Sequence, residues 1–177
     1  MTLSDFISKL NWRLMIVHIL ACWFFFHALW QLGFLYDYNY LEEIRRHINE
    51  HNYRDFNNYR GLDARRIAMI PFNAALIGLG GLLAGFVLSL LLSLKHKWFW
   101  VNSVIILLIT FILFCLDRFY FDYLRPVFRF PGRLFKPDWA YILANGLIML
   151  AIGLLLFLLK RVIKFIDGKK VHPEAVA

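Results

Sequence analysis

Four stretches of this chain run for about twenty residues or more without a charged side chain: Leu14 to Tyr36, Ile67 to Leu94, Trp98 to Leu116 and Trp139 to Leu159. A helix rises about 1.5 Å per residue and the hydrocarbon of a bilayer is about 30 Å thick, so about 20 apolar residues reach across it. Backbone N–H and C=O groups in hydrocarbon find no water and must be satisfied within their own segment, which makes each run a helix. The expectation is therefore an all-α integral membrane bundle of four transmembrane helices, in one domain of 177 residues. Composition agrees. The chain is 60% hydrophobic and 18% charged, against about 45–50% and about 25% for a soluble domain.

The connections are unequal. Lys95-His96-Lys97 alone joins the second and third runs, a tight antiparallel hairpin. Residues 37–66 and 117–138 form two long loops, which four spans place on one face, opposite the termini and the short turn. Lys and Arg divide nine to the terminal face and eleven to the loop face, which leaves the positive-inside rule undecided. The bases at Lys160, Arg161 and Lys164 lie closest to a span end, and on that ground both termini are expected in the cytoplasm of a bacterial inner-membrane protein. Ile19-Leu20-Ala21-Cys22 loosely matches a lipoprotein cleavage box, but the apolar run continues through Trp23-Phe24-Phe25-Phe26, so the segment is read as a retained span. Cys22 and Cys115 both fall within spans and are expected to pack as small apolar residues. Asp63 is placed to cap the second span, and Pro71 to open it or kink it.

Ala74, Gly78, Gly81 and Gly85 recur every three or four residues on one face of the second span. Such a stripe admits a second helix at close range. Packing within the bundle, against the first or fourth span, is expected rather than contact with another chain. Gly146 and Gly153 on the fourth span offer a partner groove. The first span carries His18, His27 and Gln31, and polar groups at that depth face protein or water rather than lipid. His18 and His27 lie nine residues apart, about half a turn around the helix axis, so they cannot both ligate one haem from within that helix. Interhelical hydrogen bonding is their expected role, as it is for Asn73, Asn102 and Asn145. No cofactor and no metal is expected.

The first loop contains LEEIRRHINEHNYRD, residues 41–55. His47-Ile48-Asn49-Glu50-His51 resembles the H-x-x-E-H signature of the inverted zincins, which implies His47 and His51 as zinc ligands and Glu50 as general base. That family also needs a downstream glutamate, and none occurs between His51 and Glu174. Read from Arg46, R-H-x-x-x-H resembles the HEPN ribonuclease signature, whose fold is a soluble helical bundle larger than this loop. Placed on a helix, the same residues make a solvated amphipathic element. Leu41, Ile44 and Ile48 form an apolar stripe, and Glu42–Arg46, Arg46–Glu50 and Glu50–Arg54 make a charge ladder at i,i+4. The amphipathic helix is the expectation.

The second loop, DRFYFDYLRPVFRFPGRLFKPDW, interleaves Arg118, Arg125, Arg129, Arg133 and Lys136 with seven Phe and Tyr rings. Single-stranded nucleic acid stacks on such rings. Spans on either side make anionic lipid headgroups the simpler partner, with guanidinium groups on phosphate oxygens and rings at the interface.

Three functions follow as expectations. The first is a non-catalytic accessory or assembly subunit of a membrane complex, bound to another membrane protein or to copies of itself. The second is an enzyme or binding protein for a lipid-linked phosphate, with the loop arginines on phosphate and Asp117, Asp122 or His51 as acid or base. The third is a homo-oligomeric pore with His27 and Gln31 facing water.

Overall fold

The computed structural model describes residues 7–51, 63–116 and 137–168, with Val127 and Leu134 as single positions besides. It is all-helical, and no strand occurs among the described residues. We number the helices α1 (Trp12–Gly33), α2 (Tyr38–His51), α3 (Ala64–Lys95), α4 (Val101–Leu116), α5 (Asp138–Leu158) and α6 (Lys160–Asp167). Three of them, α1, α3 and Trp139–Leu158 of α5, are long and apolar enough to cross a membrane, and α4 is a fourth, shorter apolar helix. Among the described residues the chain is a membrane bundle of four helices with two short amphipathic helices, α2 and α6, at opposite ends of it.

Helix α1 lies at the centre. Helices α3 and α5 pack along it, α4 contacts α1 and α3, and α3 touches α5 only slightly. Glycine decides how closely they approach. A Cβ added at Gly81 would lie 2.5 Å from the Phe25 carbonyl oxygen, and one at Gly85 would lie 3.0 Å from Cys22 Sγ. At Gly78 it would meet the Phe26 ring at 2.9 Å, and Gly33 of α1 returns the contact against Ala74 Cα at 2.9 Å. The stripe on α3 is thus filled by α1. The groove on α5 is filled by α1 too, with Gly146 under Leu32 and Ala28, and Gly153 under Phe25 and Ala21. This corrects the pairing expected of that groove: the fourth span does not serve the second. Both glycine faces grip the first. Without a water-driven force between helices in lipid, these dispersion contacts hold the pairs together.

The ends are defined by hydrogen bonds. Asn11 caps α1, its Oδ1 accepting from Leu14 N at 3.1 Å. Asp63 caps α3 by accepting from Arg65 N at 2.9 Å. Pro71 lies inside α3, which is helical on both sides of it. At its other end α3 stops in a Schellman turn: Trp98 N donates to Ser93 O at 2.8 Å and Lys97 N to Leu94 O at 3.3 Å. Lys97 takes φ 56° there, a left-handed conformation that disfavours a side chain with a Cβ by about 1–2 kcal/mol. Because of this turn, Trp98 to Trp100 stand outside the helix that the sequence assigns to them, and α4 begins at Val101. Lys97→Gly is expected to stabilise the bundle by about 1 kcal/mol in a zwitterionic detergent, read as a higher midpoint in thermal unfolding.

After α5 the chain takes one extended residue, Leu159 (ψ 121°), and then forms α6. The spacing of Val162, Ile163 and Ile166 against Lys160, Arg161 and Lys164 carries a helical period. The charge-free run ends at Leu159, before this element.

Candidate functional sites

Among the described residues this fold builds three clusters of polar groups. The first lies inside the membrane. Ser89 and Ser93 are one turn apart on α3 and face Ser103 of α4 and His18 of α1. His18 Nδ1 lies 2.8 Å from Ser89 Oγ, Ser89 Oγ donates to Ser103 Oγ at 3.1 Å, and Ser93 and Ser103 are also 3.1 Å apart. With the Ser89 proton directed to Ser103, Nδ1 of His18 carries the ring proton and Nε2 is a bare acceptor. Nε2 has no hydrogen-bond partner among the described residues. Rings close over it, Phe157 at 4.8 Å and Trp98 at 6.0 Å between centroids. All four polar residues are fully buried. The geometry can hold three helices in register. The serines were not singled out in the sequence; their i,i+4 spacing on α3 was the available signal. Ser89→Ala is expected to weaken the bundle by about 0.6–1.7 kcal/mol, the range for hydrogen bonds between membrane helices, with a double-mutant cycle against His18→Ala giving the coupling.

Half a turn away on α1, His27 is also buried, enclosed by Trp23, Phe26 and Trp30 at 4.4, 5.1 and 5.7 Å between centroids. Gln31 is buried one turn further on. The two histidines sit on opposite sides of α1 and both are inside the molecule, because α1 is the inner helix. No group of three His, Cys, Asp or Glu side chains arranged to hold a metal occurs among the described residues. Cys22 is free and buried, Cys115 free and exposed.

The second cluster is at the loop end. Helix α2 contains His47, Glu50 and His51 of the opening motif, with the His47 side chain half-buried and Glu42, Glu43, Arg45 and Arg46 exposed. Leu41, Ile44 and Ile48 are half-buried, as an amphipathic helix lying on the bundle requires. It is tied to the start of α3: Tyr40 Oη donates to the Asp63 carbonyl at 3.3 Å, and the Arg66 guanidinium stands 4.0 Å above the Tyr40 ring. Asn73 Nδ2 donates to Asp37 Oδ2 at 3.1 Å. An open cavity of about 250 Å³ separates α2 from α5, lined by Tyr38, Leu41, Glu42, Arg45, Tyr141 and Ile142. The side chains of Glu50 and His51, and the residues Asp117, Arg118, Asp122, Arg125, Arg129, Arg133 and Lys136, lie outside the described set.

The third cluster is at the terminal end, where the sequence singled out no site beyond a charge count. Asn11 N donates to Asn102 Oδ1 at 3.3 Å, and Asn102 Nδ2 to the Phe99 carbonyl at 2.8 Å. Helix α6 is drawn onto this end by Asn11 Nδ2 and Arg13 Nη1, each 3.2 Å from the carbonyls of Ile166 and Phe165. Trp98 Nε1 donates to Asp167 Oδ1 at 2.8 Å. An open cleft of about 510 Å³ results, lined by Asn11, Lys95, His96, Lys97, Trp98, Ile166 and Asp167.

Comparison with protein-family models, with curated proteins and with solved structures finds no match to this chain. Three long apolar helices around a glycine-packed centre make it an integral membrane protein of the four-helix type.

Proposed function

We propose that this is a non-catalytic accessory or assembly subunit of a membrane complex, set in a cell membrane with both termini cytoplasmic, and that segment 117–136 engages anionic headgroups. The observation that carries the reading is the glycine-mediated closure of α3 and α5 onto α1. It makes a solid body, with Phe26, Phe157, Leu14, Ile106 and Met149 fully buried. The polar side chains His18, His27, Gln31, Ser89, Ser93, Asn102, Ser103, Thr110 and Asn145 are buried within it too. What such a body offers its surroundings is an apolar flank and two polar ends. The flank includes Leu108, Phe111, Ile112 and Leu113 of α4, all exposed. A rigid apolar flank with ordered ends suits a subunit that docks beside another span. The pore reading is less favoured, because His27 and Gln31 are enclosed by their own chain rather than set on an outer face.

The test places a photo-activatable residue at Leu108 or Ile112 in native membranes. A crosslinked band containing a second polypeptide is the expected outcome. Adducts with lipid alone, together with a single-chain mass in several mild detergents, would remove the subunit reading. A reporter fused after Ala177 checks the orientation, with periplasmic activity reversing it.

A further inference from the structure

We propose that the cleft at the terminal end is a binding site for the headgroup of an anionic phospholipid in the leaflet that α6 lies on. The proposal does not depend on the subunit reading, nor on segment 117–136.

Three observations converge on it. The first is shape and depth. The cleft of about 510 Å³ is at a span boundary, walled by Trp98 and the turn after α3 on one side and by the end of α6 on the other. Trp12 and Trp100 are exposed nearby in sequence on the same end, as amphipathic rings are at headgroup level. The second is charge. Lys95 and Lys97 line the cleft with His96 between them, and both lysines are exposed. Helix α6 adds Lys160, Arg161 and Lys164, all exposed, along an amphipathic element whose Ile166 is buried. Asp167 is the one carboxylate lining the cleft among the described residues. Its Oδ1 accepts from Trp98 Nε1, so it fixes a wall. A basic amphipathic helix beside a basic cleft is the arrangement that attracts anionic lipid. The third is conformation. Lys97 occupies the left-handed position where glycine is the usual residue. That choice keeps a basic residue on the cleft lining at the expense of the turn, and strain of this kind points to a functional position.

The chemistry is one phosphodiester against two ammonium groups. Asn11 is fully engaged in capping, through its Oδ1, its Nδ2 and its backbone N–H, and holds the floor. His96 stacks on Trp98 at 4.8 Å with an angle of 20° between the rings, which keeps the imidazole flat along the wall. Acyl chains would run down the apolar surface beside Leu91 and Leu94, both exposed.

The test is native mass spectrometry of the full chain released from nanodiscs, counting retained lipids with phosphatidylglycerol or phosphatidylcholine as the probe. Wild-type protein is expected to retain phosphatidylglycerol preferentially and to lose it as ionic strength rises. The double variant Lys95→Gln, Lys97→Gln is expected to bind it on the order of 30-fold more weakly, about fivefold for each charge removed. Lys97→Gly adds a control that loss of fold cannot mimic: greater thermal stability with weaker phosphatidylglycerol retention. Equal retention of the two lipids by the wild type, or unchanged retention in the double variant, would overturn the proposal. So would full displacement by millimolar glycerol phosphate, which would make the site one for a free phosphate ester.

Discussion

Gly81→Ala is expected to destabilise the bundle by about 1–3 kcal/mol, the usual range for overpacking, while Gly80→Ala leaves it unchanged or slightly firmer. The two glycines are neighbours in one helix and identical in propensity. They differ in what a methyl group would touch. At Gly81 it would stand 2.5 Å from a backbone oxygen of α1, with the Phe25 carbonyl carbon at 3.0 Å. Backbone cannot swing aside as a side-chain tip can, so α3 would have to move off α1. Moving it lengthens the contacts at Gly78 and Gly85 as well, because all three lie on one stripe. At Gly80 nothing stands within 4 Å of the added atom, and alanine is the better helix former. Unfolding in mixed micelles by increasing SDS, followed through tryptophan fluorescence, separates the two. Equal effects would mean that the stripe does not set the spacing of these helices. Gly81→Leu should abolish the compact state.

The second large effect is at Phe157. Its ring is fully buried, 4.8 Å from His18 and 5.7 Å from Phe25 between centroids. In water, Phe→Ala in a core loses both a transfer term and a cavity term. In a membrane the first is nearly absent, since lipid tails solvate the ring in the separated helices. The cavity term remains at about 24 cal/mol per Å³, and about 100 Å³ removed gives about 2–3 kcal/mol. Phe165, eight residues on, is the natural comparison: its ring is exposed and its known contact is the Arg13 guanidinium at 5.1 Å. Phe165→Ala should change stability by less than about 1 kcal/mol. If both changes had the same effect, the assignment of Phe157 to the interior would be wrong.

The spans and the up-and-down order were legible in the sequence because both follow from charge-free length, which lipid enforces on any chain. Asp63 as a cap was legible for a local reason, a short acceptor just before a helical run. The order of helices around the centre was not. Stripes of small residues say that a helix will approach closely, not which one. Gly146 and Gly153 complement the α3 stripe in sequence as well as they complement α1. Only the bulky partners resolve it, Phe25 against Gly81 and Gly153, and Leu32 against Gly146. One hint was present. His18, His27 and Gln31 lie around α1 rather than along one side, and a helix with polar groups on opposite faces belongs in the middle. Helix α6 was missed because its three basic residues ended the charge-free run, and the length criterion that finds spans stops there. The H-x-x-E-H stretch shows the limit from the other side. Its spacing is equally that of a helix with i,i+4 charge complementarity, and the stretch from Tyr38 to His51 is helical.

The inner helix of this bundle is also the earliest made. Helix α1 leaves the ribosome while α5, which is to cover Ala28 and Leu32, is still about a hundred codons away, a delay on the order of 5–20 s. For that interval a segment less apolar than α3 or α5 must be sheltered by insertion machinery or by α3 and α4. A polypeptide released before Asp138 would leave the seats of Gly146 and Gly153 vacant in the bilayer. The α1 surface around Ala21, Phe25, Ala28 and Leu32 would then face lipid in place of its partner helix.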